Sequence, residues 1–402
     1  MRAPAILRRV GRRLPALLLA LGLALALLAG LHLYLARGLV LESGIGEPWR
    51  TALCAALGLL ALCLVAQPIA ERRLSRRLSR LVAWPASLWM GFAWLLLVGL
   101  AASDLLWWAA GRAALAASDA APPGDASGPR AALVAGFALL VGLAALREGL
   151  RPPRVRRLDL VLERWPRALD GFRVVQLSDL HIGPLLGRAF AADLCRRVNA
   201  LAPDLVAVTG DLVDGRLDRI SDEVEPLSGL RARCGVFFVT GNHDHYSGAR
   251  DWTGRVRDLG MRVLRNEHIP IGEGDDGFDL IGVDDHRGNP LAGDGREDLA
   301  TALAGRDPRR PAILLAHDPT TFRRACRESI DLQLSGHTHG GQIWPFRYLV
   351  RLAVPWVAGL YERHGSRLYV SCGTGFWGPA MRLGAPAEIT EIVLGSSRRG
   401  SP

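Results

Sequence analysis

The stretch Leu205-Val-Ala-Val-Thr-Gly-Asp211 places an aspartate directly after a run of residues that suits a buried β-strand. Similar short apolar runs recur along the chain, most of them followed closely by Asp, Asn or His: Phe172–Leu177, Val236–Thr240, Leu280–Val283, Ala312–Ala316, Leu332–Leu334 and Leu368–Val370. Helical stretches such as Arg188–Leu201 and Thr320–Ser329 separate several of them. Because continuous apolar strands alternate with helices, the pattern predicts an α/β domain.

Polar side chains follow these strands where a ligand is expected, because α/β domains bind ligands beyond the carboxyl ends of their strands. The candidates are Asp179, His181, Asp211, Asn242, His317, His337 and His339. Each alone has a structural explanation as a helix cap, a turn residue or a packed histidine. Together, imidazole nitrogens with carboxylate and amide oxygens predict a metal site, and they suit Mn, Fe or Zn better than Ca or Mg.

Five sequence blocks resemble, in order, those of the calcineurin-like metallophosphoesterases: Asp179-x-His181, Gly210-Asp211, Gly241-Asn-His-Asp244, His317 and Gly336-His-x-His339. The longer strings Leu177-Ser-Asp-Leu-His-Ile-Gly183 and Ser335-Gly-His-Thr-His-Gly-Gly-Gln342 are similar to a narrower branch. That branch contains bacterial membrane-associated phosphodiesterases and transmembrane proteins with a metallophosphoesterase domain. Gly373-Thr-Gly-Phe-Trp-Gly-Pro379 and Met381-Arg-Leu-Gly384 resemble its C-terminal blocks.

The resemblance implies a four-layer α-β-β-α sandwich that holds two divalent metal ions, each of them Mn, Fe, Zn or Ni. The ligands of the first ion would be Asp179, His181 and His339. The ligands of the second would be Asn242, His317 and His337. Asp211 would bridge the two ions, since each carboxylate oxygen can face one of them.

The resemblance also implies a reaction, in which a metal-held hydroxide attacks the phosphorus of a phosphodiester or pyrophosphate. His243 would stabilise the phosphate charge and protonate the leaving group. Asp244 would hold the ring of His243, although a turn residue is the alternative. Arg382 is a candidate for contacting a substrate phosphate, with an ordinary surface arginine as the alternative. Since every motif position is filled, we expect an active metal-dependent phosphoric ester hydrolase.

The charge distribution divides the chain into two parts. The chain carries 49 basic and 39 acidic residues, a net charge of +10, and every basic residue is arginine. Residues 1–157 contain 19 arginines against 7 acidic residues, whereas residues 158–402 contain 30 against 32. The basic excess therefore lies in the first part, which argues against a basic, nucleic-acid-binding globular domain. No nucleic acid partner is expected.

The first part contains four apolar runs that suit a hydrocarbon core of ~30 Å, although the fourth is short: Leu14–Ala36, Thr51–Ala70, Ala86–Ala110 and Ala131–Leu146. The first run exceeds the apolar core of a signal peptide, which favours a retained anchor. Arginines cluster before the first run, between the second and third, and after the fourth. The positive-inside rule then predicts four spans with both ends cytoplasmic. We therefore expect a multi-pass protein of the inner (cytoplasmic) membrane with a cytoplasmic catalytic domain.

These patterns predict a helical membrane domain at residues 1–150, a linker at 151–170, a metallophosphoesterase domain at 171–396 and a disordered tail at 397–402. The six cysteines form no CxxC pair, which indicates free thiols in a reducing compartment. The segment Trp344–Trp356 has two interpretations, core packing or an apolar lip against the bilayer.

The leading functional hypothesis is a membrane-anchored phosphodiesterase or pyrophosphatase that acts on a lipid-linked or nucleotide-linked substrate. The resemblance makes a UDP-2,3-diacylglucosamine-type lipid A precursor one candidate. One alternative is a tethered enzyme for a soluble substrate, such as a cyclic nucleotide or a phosphoprotein. Another is a membrane sensor whose metal site is only structural. A transporter is disfavoured because Asp104 is the only acidic residue inside a predicted span. Oligomeric state is left open.

Overall fold

The computed structural model describes residues 3–116, 127–288 and 295–397. Nearly all of the expected tail at 397–402 lies outside these ranges. Two units are distinguished: the first comprises residues 1–69 and 85–144, and the second comprises residues 70–84 and 145–402. The four long helices are α1 (Ala3–Ala36), α2 (Trp49–Arg73), α3 (Arg76–Ala116) and α4 (Ser127–Gly149).

Each of these helices includes a segment long and apolar enough to cross a membrane: Leu18–Leu41, Trp49–Arg73, Arg76–Ala113 and Ser127–Gly149. The first segment runs from α1 into a π-helical turn at Arg37–Leu41. The fourth run looked short in the sequence, but its helix has 23 residues, because the polar residues that flank the apolar run are also helical. The prediction of four membrane-length helices is therefore supported by length and composition.

Packing within the first unit brings α1, α3 and α4 together. Leu35, Trp89 and Val134, one residue from each of these helices, share a buried apolar cluster. Trp89 Nε1 donates a hydrogen bond to Nε2 of His32 at 2.9 Å. Tyr34 Oη donates to Asp104 at 2.7 Å. These two hydrogen bonds join α1 to α3.

The second unit contains two six-stranded sheets. The first sheet has the order β1-β12-β2-β3-β4-β5, with β1 (Arg154–Leu162), β2 (Phe172–Leu177), β3 (Leu205–Thr209), β4 (Val236–Val239), β5 (Arg262–Val263) and β12 (Glu388–Ser396). The second has the order β10-β11-β9-β8-β7-β6, with β6 (Glu267–Ile271), β7 (Phe278–Gly282), β8 (Ala312–Leu315), β9 (Leu332–Ser335), β10 (Gly359–Arg363) and β11 (Ser366–Val370).

The helices of the second unit are α5 (Arg188–Ala200), α6 (Leu217–Val224), α7 (Asn242–Ser247), α8 (Ala249–Asp258), α9 (Leu299–Leu303), α10 (Phe322–Ala325) and α11 (Phe346–Ala353). All seven predicted strands are present, and Arg188–Leu201 is helical as expected. Thr320–Ser329 is less regular than predicted, with a 3₁₀ turn followed by the short α10. Residues 154–162, expected as part of the linker, form β1, which pairs in parallel with β12.

Alternation along the strands explains how the sheets pack. In β3, Leu205 and Ala207 join a buried cluster that also contains Leu280 and Leu334 of the second sheet. The intervening Val206 belongs to another cluster, which includes residues of α5, α6 and α8. Successive side chains of a strand point to opposite faces, so one face of the first sheet packs against the second sheet and the other against helices.

The parallel strands bring the predicted ligands into one region. In the first sheet β2, β3 and β4 are parallel, and in the second β7, β8 and β9 are parallel. The predicted ligands follow β2, β3 and β4 in one sheet and β8 and β9 in the other. The strand order therefore gathers residues that are far apart in sequence.

Candidate metal centre

Five of the seven predicted ligands lie in left-handed backbone. Their φ angles are 55° for Asp179, 47° for His181, 53° for Asp211, 71° for His337 and 51° for His339. Residues with a Cβ avoid this region, at a cost of roughly 1–2 kcal/mol each. Strain of this kind persists where the surrounding structure enforces it, and it clusters at functional sites. Because five such residues lie at the strand ends, this region is a candidate functional site.

The first group of ligands matches the expectation for one metal ion. One ligand atom from each of Asp179, His181 and His339 lies within 4.8 Å of the other two. His181 Nε2 and His339 Nε2 are 3.0 Å apart, and His339 Nε2 lies 3.4 Å from an oxygen of Asp179. Two imidazole nitrogens that would each bind one ion at ~2.1 Å cannot be more than ~4.2 Å apart. The spacing therefore fits joint coordination.

The second group contains Asp211, His317 and His337, again with ligand atoms within 4.8 Å of one another. His317 Nδ1 donates a hydrogen bond to the carbonyl of Thr209 at 2.8 Å, which fixes the ring and leaves Nε2 as the atom that can bind a metal. That Nε2 lies 3.1 Å from Asp211 Oδ2. Burial and the neighbouring His317 lower the pKa of His337 to about 4, which keeps this ring neutral. Neutral imidazole is the form that binds metals.

Asn242 and Asp211 complete the donor set. Asn242 is buried, and its Oδ1 has no hydrogen-bond partner. A buried acceptor without a partner is unfavourable by about 1–3 kcal/mol, and a cation would satisfy it. Asp211 Oδ2 lies 3.1 Å from His317 Nε2 and 3.8 Å from His181 Nε2. Because this carboxylate stands between the two groups, the residues fit two ions that share one bridging ligand.

His243 is held by Asp214, a residue that the sequence analysis missed. His243 Nδ1 donates to one oxygen of Asp214 at 2.6 Å, and His181 Nδ1 donates to the other at 3.0 Å. Burial opposes ionisation of Asp214, yet the two histidines hold its pKa well below its usual range. Burial opposes protonation of His243, yet Asp214 raises its pKa to about 9. One carboxylate therefore orients both a predicted ligand and the predicted acid.

The expected contact between Asp244 and the His243 ring is wrong. The Asp244 carboxylate instead accepts hydrogen bonds from the backbone N–H groups of Gly241 at 2.8 Å, Asp211 at 2.9 Å and Leu212 at 2.9 Å. Asp244 stands in the first turn of α7, where a short carboxylate readily turns back to backbone N–H groups. Its contacts tie the ends of β3 and β4 together and fix the backbone of Asp211.

Arg382 is not the surface residue that a substrate contact requires. It is 1% exposed, and its guanidinium donates to the carbonyls of Cys372 and Ala385 at 2.8 Å each. Nη2 lies 3.5 Å from His339 Nδ1. Burial, His181 and Arg382 together hold the pKa of His339 well below its usual range. The expectation of a substrate contact is therefore wrong, and Arg382 instead supports the loop and the ring of a predicted ligand.

Comparisons with known proteins agree with this geometry. The model of the calcineurin-like phosphoesterase family matches residues 172–341. A transmembrane protein with metallophosphoesterase domain from Bos taurus is 40% identical over 276 residues, which are 66% of this chain and 62% of that protein. An uncharacterized metallophosphoesterase from Aquifex aeolicus is 33% identical over 244 residues, 60% of this chain and 91% of that protein.

Among solved structures, a putative 5'-nucleotidase from Staphylococcus aureus shows 12% identity and a TM-score of 0.36, covering 57% of this chain and 56% of that one. The chain spans about three fifths of the length of two relatives named as transmembrane proteins, 62% in one and 60% in the other. Those names and the four apolar helices indicate a membrane protein.

The family match, the aligned relatives and the two ligand groups support the same conclusion. They are consistent with the predicted class, a metal-dependent phosphoric ester hydrolase. The prediction of two divalent ions is confirmed at the level of the family, and the clustered His and Asp side chains fit it. The chain belongs to the calcineurin-like metallophosphoesterase family.

Proposed function

We propose that the protein is a membrane-anchored, dinuclear-metal phosphoesterase that hydrolyses a phosphodiester or pyrophosphate bond in a lipid-linked or nucleotide-linked substrate. The observation that carries this proposal is the pair of ligand groups that meet at Asp211, beside His243. When bound, two divalent ions supply charge stabilisation for the phosphoryl group and lower the pKa of a water molecule that serves as nucleophile. Mn, Fe, Zn and Ni all suit this donor set.

His243 acts as the acid in this proposal. Its Nδ1 is bonded to Asp214, so the proton on Nε2 is the one available to a leaving-group oxygen. The raised pKa of about 9 supports a ring that is protonated at neutral pH. General acid catalysis of this kind contributes about 10²–10⁴-fold to a rate. The backbone N–H of His243 donates to Asp211 at 2.7 Å, which fixes the acid relative to the bridging carboxylate.

Two exposed aromatic rings border the acid. Trp377 is 49% exposed with its ring 5.6 Å from that of His243, and Tyr246 is 58% exposed at 5.4 Å. Exposed aromatic rings beside a polar site suit the organic part of a substrate, such as an acyl chain or a nucleobase. This border supports an organic phosphoester as substrate in preference to inorganic pyrophosphate.

The proposal places the catalytic unit in the cytoplasm, at the face of the inner membrane. Arginines cluster at 2–13, 72–80 and 147–157, which the positive-inside rule assigns to one side. The described cysteines are free thiols, as expected in a reducing compartment. The implied four-layer order is supported by the apolar cluster that the two sheets share and by the helices on the other face of the first sheet.

An activity screen of the purified full-length protein tests the proposal. Each candidate metal is supplied with an aryl phosphodiester, a UDP-linked diacyl lipid or a cyclic nucleotide. We expect metal-dependent turnover that is highest for the lipid, is lost in Asp211→Asn and is kept in the matched control Asp218→Asn, whose side chain is 55% exposed. A preference for the cyclic nucleotide would contradict the lipid-linked substrate, and metal binding without turnover would contradict the enzymatic role.

A further inference from the structure

Helix α11 exposes nearly all of its apolar side chains. Phe346 is 42% exposed, Tyr348 59%, Leu349 49% and Leu352 85%, and Trp344 directly before the helix is 51% exposed. No residue of α11 is fully buried. By contrast, α5, α6 and α8 each bury residues in the apolar cluster beside the first sheet. Among the described residues of the second unit, α11 is thus a helix that leaves most of its apolar side chains exposed.

The residue pattern of α11 is that of a helix at a membrane surface. At ~100° per residue, Arg347 and Arg351 are four apart and lie along one line of the helix. Phe346, Leu349 and Leu352 are spaced by three and occupy another side. A short amphipathic helix with a basic polar face and with aromatic and leucine side chains opposite suits the headgroup region of a bilayer.

The framework that carries α11 also borders the metal centre. The Gln342 side-chain amide donates to the carbonyls of Trp377 at 2.9 Å and Pro379 at 2.8 Å. The backbone N–H of Trp344 donates to the carbonyl of Leu383 at 2.9 Å. These hydrogen bonds join the segment at 342–344 to the loop at 377–384, and we call the two together the rim. The rim carries the exposed rings of Trp344 and Trp377, and the Trp377 ring lies beside that of His243.

The end of a membrane-length helix reaches the same loop. Residues 145–149, the last residues of α4, belong to the second unit. The backbone N–H of Arg382 donates to the carbonyl of Ala145 at 2.9 Å. Gly149 lies against Ala380 so closely that a Cβ would be 2.5 Å from the Ala380 carbonyl oxygen. Within the second unit, the loop at 377–384 thus contacts both residues 145–149 and the residue that precedes the start of α11 by two positions, Trp344.

We propose that α11, together with Trp344 and Trp377, inserts into the headgroup region of an anionic lipid bilayer. A bilayer is a suitable partner because α4 is long and apolar enough to cross one. Arg347 and Arg351 are positively charged and therefore suit anionic headgroups. Trp and Tyr are enriched where a protein meets the headgroups. Such a contact brings the rim beside His243 to the membrane surface and lets it take the phosphoester of a membrane-resident lipid. The access of such a lipid to the site rests on the proposed function.

Photo-labelling of the full-length protein tests the membrane contact without using activity. The protein is reconstituted in phosphatidylcholine vesicles, with or without phosphatidylglycerol, that contain a lipid with a diazirine near its headgroup, and adducts are mapped by mass spectrometry. We expect adducts on residues 344–353. The double variant Leu349→Glu, Leu352→Glu should lower them at least about fivefold, since two charges at the boundary oppose insertion.

Two further variants sharpen the assignment. Leu360→Glu is the matched control, because Leu360 is a 43% exposed leucine of the same unit on β10, and it should leave the labelling of α11 unchanged. Arg351→Gln should lower labelling about fivefold, and only when phosphatidylglycerol is present, since one basic residue near an anionic surface contributes about 1 kcal/mol. Equal loss in both vesicle types would overturn the part of the proposal that concerns anionic lipid.

Three outcomes separate the possibilities. Labelling of the four long helices without labelling of 344–353 overturns the membrane contact. Cross-links between two protein chains through α11, in place of lipid adducts, also overturn it and assign the surface to a second copy. Lipid adducts on α11 in a protein that hydrolyses no phosphoester support the membrane contact but contradict the proposed function.

Discussion

The two units use apolar side chains in opposite ways. In the helical unit, Leu19, Leu27 and Leu33 are 65%, 65% and 68% exposed. In the second unit, Leu280 and Leu334 are 0% exposed. An apolar sequence therefore does not by itself say which way its side chains point. Long apolar helices with exposed side chains are suited to contact with lipid. Short apolar strands that end in polar residues instead form the buried core of an α/β domain in water.

Polar side chains also differ between the units. On the long helices some polar side chains pair with one another, as Trp89 does with His32 and Arg130 with Asp104. At the strand ends, the nitrogens of His181 and His339 face each other, and an oxygen of Asn242 has no partner. Side-chain nitrogens and oxygens gathered in this way suit a bound cation. The comparison thus assigns the chemistry to the second unit, and graded substitutions can test that assignment.

The largest effect is expected from Asp211→Asn, because the Asp211 carboxylate lies between the two ligand groups, near His317 of the second and His181 of the first. Losing a charge from the bridging position should lower turnover of an aryl phosphodiester by about 10³-fold or more, since metal ions contribute several kcal/mol to such reactions. Elemental analysis should show less than one ion per chain. His339→Gln is the matched variant, since His339 belongs to the first group only and the second ion should remain. Two retained ions in Asp211→Asn would contradict the bridging role.

His243→Ala should have the next largest effect and should leave the metals bound. Removing a general acid lowers the rate by about 10²–10⁴-fold when the leaving group is a poor one. An aryl leaving group departs without a proton, so its rate should fall much less. The measurement is kcat for an alkyl and an aryl ester of the same phosphate, with metal content as control. An equal loss for both esters would contradict the acid role.

Asp214→Asn should lower activity less than His243→Ala, because the Asp214 carboxylate acts through two imidazole rings and not on the substrate itself. Outer partners of metal-binding histidines contribute about 10–100-fold to metal affinity or activity. We expect a loss of this size in metal affinity and in activity, because His181 and His243 lose the same hydrogen-bond partner. Asp193→Asn, which removes a half-buried carboxylate that pairs with Arg196 and Arg197, is the matched control. A loss of activity at unchanged metal affinity would limit Asp214 to orienting His243.

Local patterns predicted those parts of the site that local chemistry determines. Asp179 and Asp211 follow buried strands directly, so a strand pattern was enough to find them. Asp214 stands farther along the loop, and its role depends on rings from two other loops, although a second aspartate in Gly210-Asp-Leu-Val-Asp214 was an available signal. Arg382 was misplaced because its burial depends on the loops that fold around it.

The strand β1 was missed for a related reason. Its charged N-terminal half is exposed, and its partner β12 comes from the far end of the unit. Likewise, the apolar composition of Trp344–Trp356 is compatible with two arrangements. The segment could be buried in the core or exposed as a lip. Only the three-dimensional structure shows that Val354 is buried while Leu352 is exposed. Long-range pairing and burial are thus the properties that the sequence pattern leaves undetermined.

The smallest effect is expected in the helical unit, from Asp104→Asn. Asp104 joins three helices, since it accepts from Tyr34 on α1 and from Arg130 on α4. Hydrogen bonds between membrane helices contribute about 0.6 kcal/mol on average and at most ~1.7. We expect a small decrease in thermal stability in detergent, with Glu42→Gln at the exposed Arg37–Glu42 pair as control. Turnover of a soluble aryl phosphodiester should be unchanged. A loss of turnover as large as that of Asp214→Asn would mean that polar groups in the helical unit also serve the chemistry, and the contrast between the two units would fail.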